Sequence, residues 1–389
     1  MSDTPSRRID RIQPFRVMAL LAEARELEHQ GRDIVHMEIG EPDFPTPAPV
    51  VEAATRALAG GNVHYTPALG MAELREAIAG FYQERYNVTV PASRIMVTPG
   101  ASGALLLALG VLLEPGEGVM LADPGYPCNR NFAEFLDARV QAVPVDADSG
   151  YQLTLELVQQ YWQSCTRVVM LASPANPTGT LVPPEELRAI IAWVEQQGAS
   201  VIVDEIYHGL VYGAPAPTAL NLGERVVVIN SFSKYFGMTG WRIGWLAAPS
   251  DLMSSLDKLA QNLFLSASTP AQHAALAALT PQTLAILEQR REAFWQRRDF
   301  LLPALRDIGF DIKVEPQGAF YLYADCSRFT DDSFAFARSL LHDSGVAITP
   351  GNDFGDYRPE QHVRFAYTTS LERLQEGLRR LQQRLAPDD

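Results

Sequence analysis

Four short apolar runs rich in β-branched residues constrain this chain more than anything else in it. They are Val119-Met120-Leu121-Ala122, Arg167-Val168-Val169-Met170-Leu171, Ser200-Val201-Ile202-Val203 and Val226-Val227-Val228-Ile229. Each is bounded by Pro, Gly, Asp or Ser, and none shows the polar alternation of a half-solvated strand. Between them lie helical patterns such as residues 184–197, with Leu187, Ile190, Ile191 and Val194 on one face. Continuous apolar strands joined by helical crossovers fold as an α/β domain, a mostly parallel sheet flanked by helices. After about residue 280 the texture changes. A long charged helix over residues 283–308 leads into a strand-rich piece, 317–325, and two more helices. This predicts a second, smaller α+β domain.

Composition narrows the function. The 389 residues, 47% hydrophobic and 20% charged, describe an ordinary globular chain with material for a large core. A net charge of −14, with no basic tract to offset it, argues against nucleic acid or an anionic membrane as partner. The arginines Arg7, Arg8, Arg11 and Arg16 precede an apolar run, 17–22, too short for a signal peptide. The greasiest stretch, 105–113, reads as a buried helix. Cys128, Cys165 and Cys326 show no CxxC spacing, which points to a reduced, cytoplasmic setting. No metal site is expected.

In a parallel sheet, ligands sit at the carboxyl ends of the strands. After the four runs come Asp123-Pro124-Gly125-Tyr126, Asn176-Pro177-Thr178-Gly179, Asp204-Glu205-Ile206-Tyr207 and Ser231-Phe232-Ser233-Lys234. Singly, each has an ordinary explanation as a turn, cap or core residue. Lys234 is harder to dismiss. Of 32 basic residues only three are lysine, and lysine has an amine that can lose its proton and form a Schiff base. The segment from Thr98 to Leu105 adds a glycine-bearing loop entering an apolar helix, whose free N–H groups suit an anion. It lacks the lysine of a Walker loop and the GxGxxG dinucleotide spacing. With Ser102, Ser231 and Arg242 it reads as a phosphate cradle.

Taken with Gly40-Glu41-Pro42-Asp43-Phe44, Tyr65-Thr66-Pro67, Gln317-Gly318-Ala319-Phe320-Tyr321, Pro350-Gly351 and Arg364-Phe365, these segments resemble a class I/II aminotransferase. That family belongs to the fold-type I pyridoxal-phosphate enzymes, and the resemblance runs from about Ile12 to the C-terminus. It implies a large cofactor-binding domain over residues 46–284 and a small domain, 1–45 with 285–389, that closes over the substrate. Pyridoxal 5′-phosphate is the implied cofactor. Lys234 would hold it as a Schiff base and shuttle the proton. Asp204 would face the ring nitrogen, Tyr207 and Asn176 the phenolic oxygen, and Tyr126 the ring face. Ala101, Ser102, Ser231 and Arg242 would take the phosphate, with Tyr65 reaching it from the neighbouring subunit of a homodimer. Arg364, with Gly40 beside it, would grip the α-carboxylate of an L-amino acid.

The implied reaction is ping-pong transfer of an amino group to a 2-oxo acid, with glutamate as default donor. The alternative on the same scaffold is a C–S β-elimination lyase. One departure bears on the substrate. Aspartate enzymes of the animal-and-enteric type carry an arginine for the second carboxylate before the stretch that matches Ser268-Thr269-Pro270. This chain has Asn262-Leu263-Phe264-Leu265 there, with no basic residue.

Overall fold

The computed structural model describes residue 6, residues 8–213 and residues 216–386. Arg7 and the outermost residues of the expected small domain lie outside them. The strands in chain order are β1 (Val35–His36), β2 (Ile95–Thr98), β3 (Gly118–Asp123), β4 (Arg139–Pro144), β5 (Thr166–Ala172), β6 (Ser200–Asp204), β7 (Val226–Ser231) and β8 (Gly244–Ala247). Four follow later: β9 (Tyr321–Asp325), β10 (Val346–Ala347), β11 (Thr349–Pro350) and β12 (His362–Ala366).

Strands β2 to β8 form one seven-stranded sheet in the order β2-β8-β7-β6-β5-β3-β4. Every neighbouring pair is parallel except the two made by β8, which runs against both β2 and β7. The apolar runs are continuous because helices cover both faces of the sheet. Val201 and Val203 enter one core with Leu187, Ile190, Ile191 and Val194 of the helix Pro184–Gln196. Ile202, between them, enters the other core with Leu105, Leu107 and Leu109 of the helix Gly100–Leu112. Each such side chain contributes about 1.5–3 kcal/mol by leaving water. Edge strand β4 is the exception. It alternates between buried and partly exposed positions, so its sequence lacks a continuous apolar run.

The helix expected from residue 283 starts at Pro281, because the Thr280 hydroxyl caps it by accepting the Thr283 N–H. The expected boundary at 284 therefore falls in its first turn. The strand-rich piece is narrower than expected. Gln317 and Gly318 donate their N–H groups to Gly179, and Ala319 donates to Leu210, so regular pairing begins only with β9. The order β11-β12-β9 makes a small antiparallel sheet, while β1 pairs in parallel with β10. Asp353 joins the two ends of the chain. Its carboxylate accepts the N–H groups of Arg16 and Val17, each at 2.7 Å, and so caps the helix Arg16–His29.

Register decides what meets at the carboxyl edge. Gly244, at the start of β8, pairs with Thr98 on one side and Ser231 on the other. Asp204 lies beside Ala172 on one side and Ile229 on the other. Among the described residues no helix is long and apolar enough to cross a membrane.

Candidate active site

A cavity of about 320 Å³ opens at that edge. Lys234 projects into it three residues past β7, and its Nζ donates to the Gly40 carbonyl at 2.5 Å. Burial, then the Arg364 guanidinium, pulls the ammonium down to about 8 from its ordinary 10.5. Asp204 ends β6 almost wholly buried, and its Oδ1 accepts the Ile206 N–H at 3.0 Å. Burial pushes this carboxyl up to about 6, against that hydrogen bond and the nearby Lys234. Tyr207 and Tyr321 share a hydrogen bond at 2.8 Å between their hydroxyls. Burial holds both phenols above their ordinary range, so both stay neutral donors.

Arg364 comes from β12 and is held rigidly. Nη1 donates to Asn176 Oδ1 at 2.9 Å, and Nη2 donates to the Glu38 carbonyl at 2.6 Å and Thr349 Oγ1 at 3.1 Å. The Tyr321 and Phe354 rings flank its guanidinium at 4.3 and 4.9 Å. Its Nε is buried without a partner. Gly40 has no room for a side chain, since a Cβ there would stand 2.1 Å from the Tyr321 hydroxyl.

Ala101 and Ser102 line the cavity from the first turn of the helix Gly100–Leu112. Arg242 packs so close to Gly100 that a Cβ there would meet Nη2 at 2.6 Å, and Gly100 has a φ of +70°. Free N–H groups and a guanidinium thus share one corner. Tyr126 lines the same cavity.

The structure brings ten of the twelve expected residues into one wall; Ser231 and Tyr65 are not part of it. Ser231 lies a layer behind, 2.9 Å from the hydroxyl of Ser233, which does line the cavity. Tyr65 is 82% exposed. Sequence reasoning passed over Ser233, Tyr321, Glu38, and the wall formed by Phe15, Val17 and Met18. Ser233 and Tyr321 sat inside quoted motifs, whereas nothing in the sequence around Glu38 signals its position. Glu38 is wholly buried, with Oε1 2.7 Å from His36 Nδ1 and Oε2 without a partner. That contact, opposed by burial and helped by Glu28, lifts His36 to about 9.

These residues fit pyridoxal phosphate. The helix turn with Arg242 suits a phosphate, the buried Asp204 lacks a cationic donor such as a ring N–H⁺, and Lys234 is an amine of lowered basicity. The orphaned Arg364 Nε is a free donor for a carboxylate.

A mostly parallel sheet presenting a lysine, an acid and an anion cradle at its carboxyl edge defines a pyridoxal-phosphate enzyme. The chain belongs to the class I and II aminotransferases, whose family model matches residues 32–381. It is 41% identical over 372 residues to the valine–pyruvate aminotransferase of Mycobacterium tuberculosis, covering 95% of this chain and 96% of that one. An aminotransferase crystal structure from Mycobacterium tuberculosis superposes with a TM-score of 0.97 at 40% identity, covering 100% of both chains. The aspartate aminotransferase of Thermus thermophilus with maleate gives 0.92 at 35% identity, covering 98% of this chain and 100% of that one. The protein is a pyridoxal-phosphate-dependent transaminase acting on an amino acid and a 2-oxo acid, and these relatives do not favour the lyase alternative.

Proposed function

We propose that Lys234, Asp204 and Arg364 carry the transamination, each by what its surroundings do to it. Pyridoxal phosphate, when bound, supplies the electron sink that makes the substrate's Cα proton removable. Arg364 orients the amino acid through its α-carboxylate, with Asn176 and Glu38 fixing the guanidinium. Lys234 takes the Cα proton on Nζ and returns it. A buried amine lowered to about 8 is part-neutral near physiological pH, as a base must be. Asp204 would hold the ring-nitrogen proton, and Tyr207, backed by Tyr321, would donate to the ring's oxygen. The corner formed by Ala101, Ser102 and Arg242, with Ser231 supporting Ser233, holds the phosphate. Tyr126, which lines the same cavity, would pack on the ring.

The observation that supports this most is the single cavity shared by Lys234, Asp204 and Arg364, with Arg364 Nε left unpaired. Lys234→Ala is expected to keep the cofactor bound non-covalently and to lose turnover by about a thousandfold or more. Cofactor retention on a desalting column and the transfer rate check the two parts. Near-normal turnover would sink the assignment of Lys234.

We further propose a homodimer in which Tyr65 serves the partner's phosphate, working in the cytoplasm. The exposure of Tyr65 supports the first part and three free cysteines support the second. The division at residues 46 and 284, with the smaller part closing on the substrate, belongs to the same proposal. The Asp353 cap supports it by tying the N-terminal helix to the C-terminal segment.

A further inference from the structure

Charge is distributed unevenly around the cavity. Among the described residues that line it, the cations are Lys234, Arg242 and Arg364, and each already has a task. Lys234 faces the reacting carbon, Arg242 the phosphate corner and Arg364 the α-carboxylate. The remaining acidic residues, apart from Asp204, are Glu41 and Glu38, the latter with its carboxylate buried against His36. The mouth is walled by Phe15, Val17, Met18 and Ile39, from the N-terminal helix and the segment after β1. The segment carrying Tyr65, residues 62–67, and the turn 262–269 bring no lysine or arginine, and His64 is their only basic residue. A substrate side-chain carboxylate entering this space would shed water and find no cation without a task.

We infer that both substrates of this enzyme are monocarboxylic, with an uncharged apolar side chain seated against Phe15, Val17, Met18 and Ile39. The inference rests on the transaminase reading and on the roles proposed for the three cations. It extends to both partners because a ping-pong enzyme passes the amino donor and the 2-oxo acid through one cavity. Glutamate, the donor that resemblance alone supplies, is excluded by the same argument. The apolar wall and the lack of a cation without a task enforce the exclusion.

The test uses the cofactor-loaded protein. Calorimetric titration compares 4-methylvalerate with maleate, and single-turnover rates compare L-valine and L-leucine with L-aspartate and L-glutamate. The monocarboxylate is expected to bind at least about tenfold tighter, and valine or leucine to react with at least about tenfold higher efficiency. Maleate binding as tightly, or aspartate or glutamate reacting as well, overturns the inference and leaves the transaminase reading standing. If no amino acid reacts, that reading falls and takes the inference with it. Met18 is 55% exposed, so Met18→Arg adds a cation at the seat without disturbing a core. It is expected to tighten maleate binding by about tenfold. Unchanged maleate affinity, with leucine turnover retained, overturns the seat.

Discussion

Asp204 and Glu205 are consecutive acids in different surroundings. Asp204 faces the cavity and Lys234, whereas Glu205 is wholly buried, accepting from the Thr218 hydroxyl at 2.9 Å and the Ala219 N–H at 2.6 Å. His208 stands 3.2 Å away, pushed by burial down to about 3 and therefore neutral, so it does not compensate the charge. Burial pushes Glu205 up to about 8 from its ordinary 4.5. Below 4.5 both the folded and the unfolded chain hold this proton. Between 4.5 and about 8 only the folded chain holds it, so Glu205 lowers stability progressively as pH rises through that window. Glu205→Gln keeps the acceptor oxygen and removes the ionisation. The variant is expected to melt higher than wild type at pH 9, with a smaller difference at pH 5, in thermal scans of the apo protein. Equal offsets at both pH values would rule out this titration. The residues legible in the sequence were those whose proposed chemistry demands one residue type. A Schiff base needs lysine, a ring N–H⁺ needs an acid and a bidentate carboxylate grip needs arginine. Glu38 and Tyr321 were not legible, because their roles come from a two-residue strand pairing and from a hydroxyl meeting Tyr207 across the fold.

The helix Arg16–His29 supplies Val17 and Met18 to the cavity, with Phe15 at its N-cap, yet no side chain of its own caps its start. Asp353 does so from the far end of the sequence. Asp353→Ala would leave two N–H groups without partners and cost about 1–2 kcal/mol, concentrated in that first turn. Amide exchange at residues 16–19 is expected to quicken, and kcat/KM for an apolar amino acid to fall with little change in cofactor affinity. Unchanged exchange there would show that the cap is not holding the helix. The elements themselves were largely readable. The four apolar runs are β3, β5, β6 and β7, extended by one or two residues at their ends. The unread members of the large sheet were β2, β4 and β8. Edge strand β4 alternates between buried and partly exposed positions, whereas β2 and β8 are buried throughout but only four residues long and pair antiparallel with each other.

At the scale of the whole molecule, two neighbouring stretches group exposed apolar residues. Val51 and Leu58 on the helix Ala48–Ala59, then Val63 and Tyr65, and Leu263 with Leu265 are all exposed. The two stretches are neighbours, because Thr269 donates to the His64 carbonyl at 2.6 Å and Gln272 donates to Thr66 at 2.9 Å. Apolar residues so grouped suit the proposed dimer. Leu58→Asp would place a charge in that interface, so sedimentation velocity is expected to show monomer. Activity should fall by about tenfold or more as the partner's Tyr65 is lost. A monomeric variant with full activity would remove Tyr65 from the mechanism. The same large-scale view gives the cap and the strand pairings a consequence for biosynthesis. The phosphate corner and Lys234 are complete once β8 has left the ribosome. Arg364, the partner strand of β1 and the cap on the N-terminal helix all emerge later. A nascent chain therefore finishes the phosphate corner and the lysine first. The substrate side, with the Tyr321 partner of Tyr207, waits for later segments, so a truncated product would carry the phosphate corner and Lys234 while lacking the grip on an amino acid.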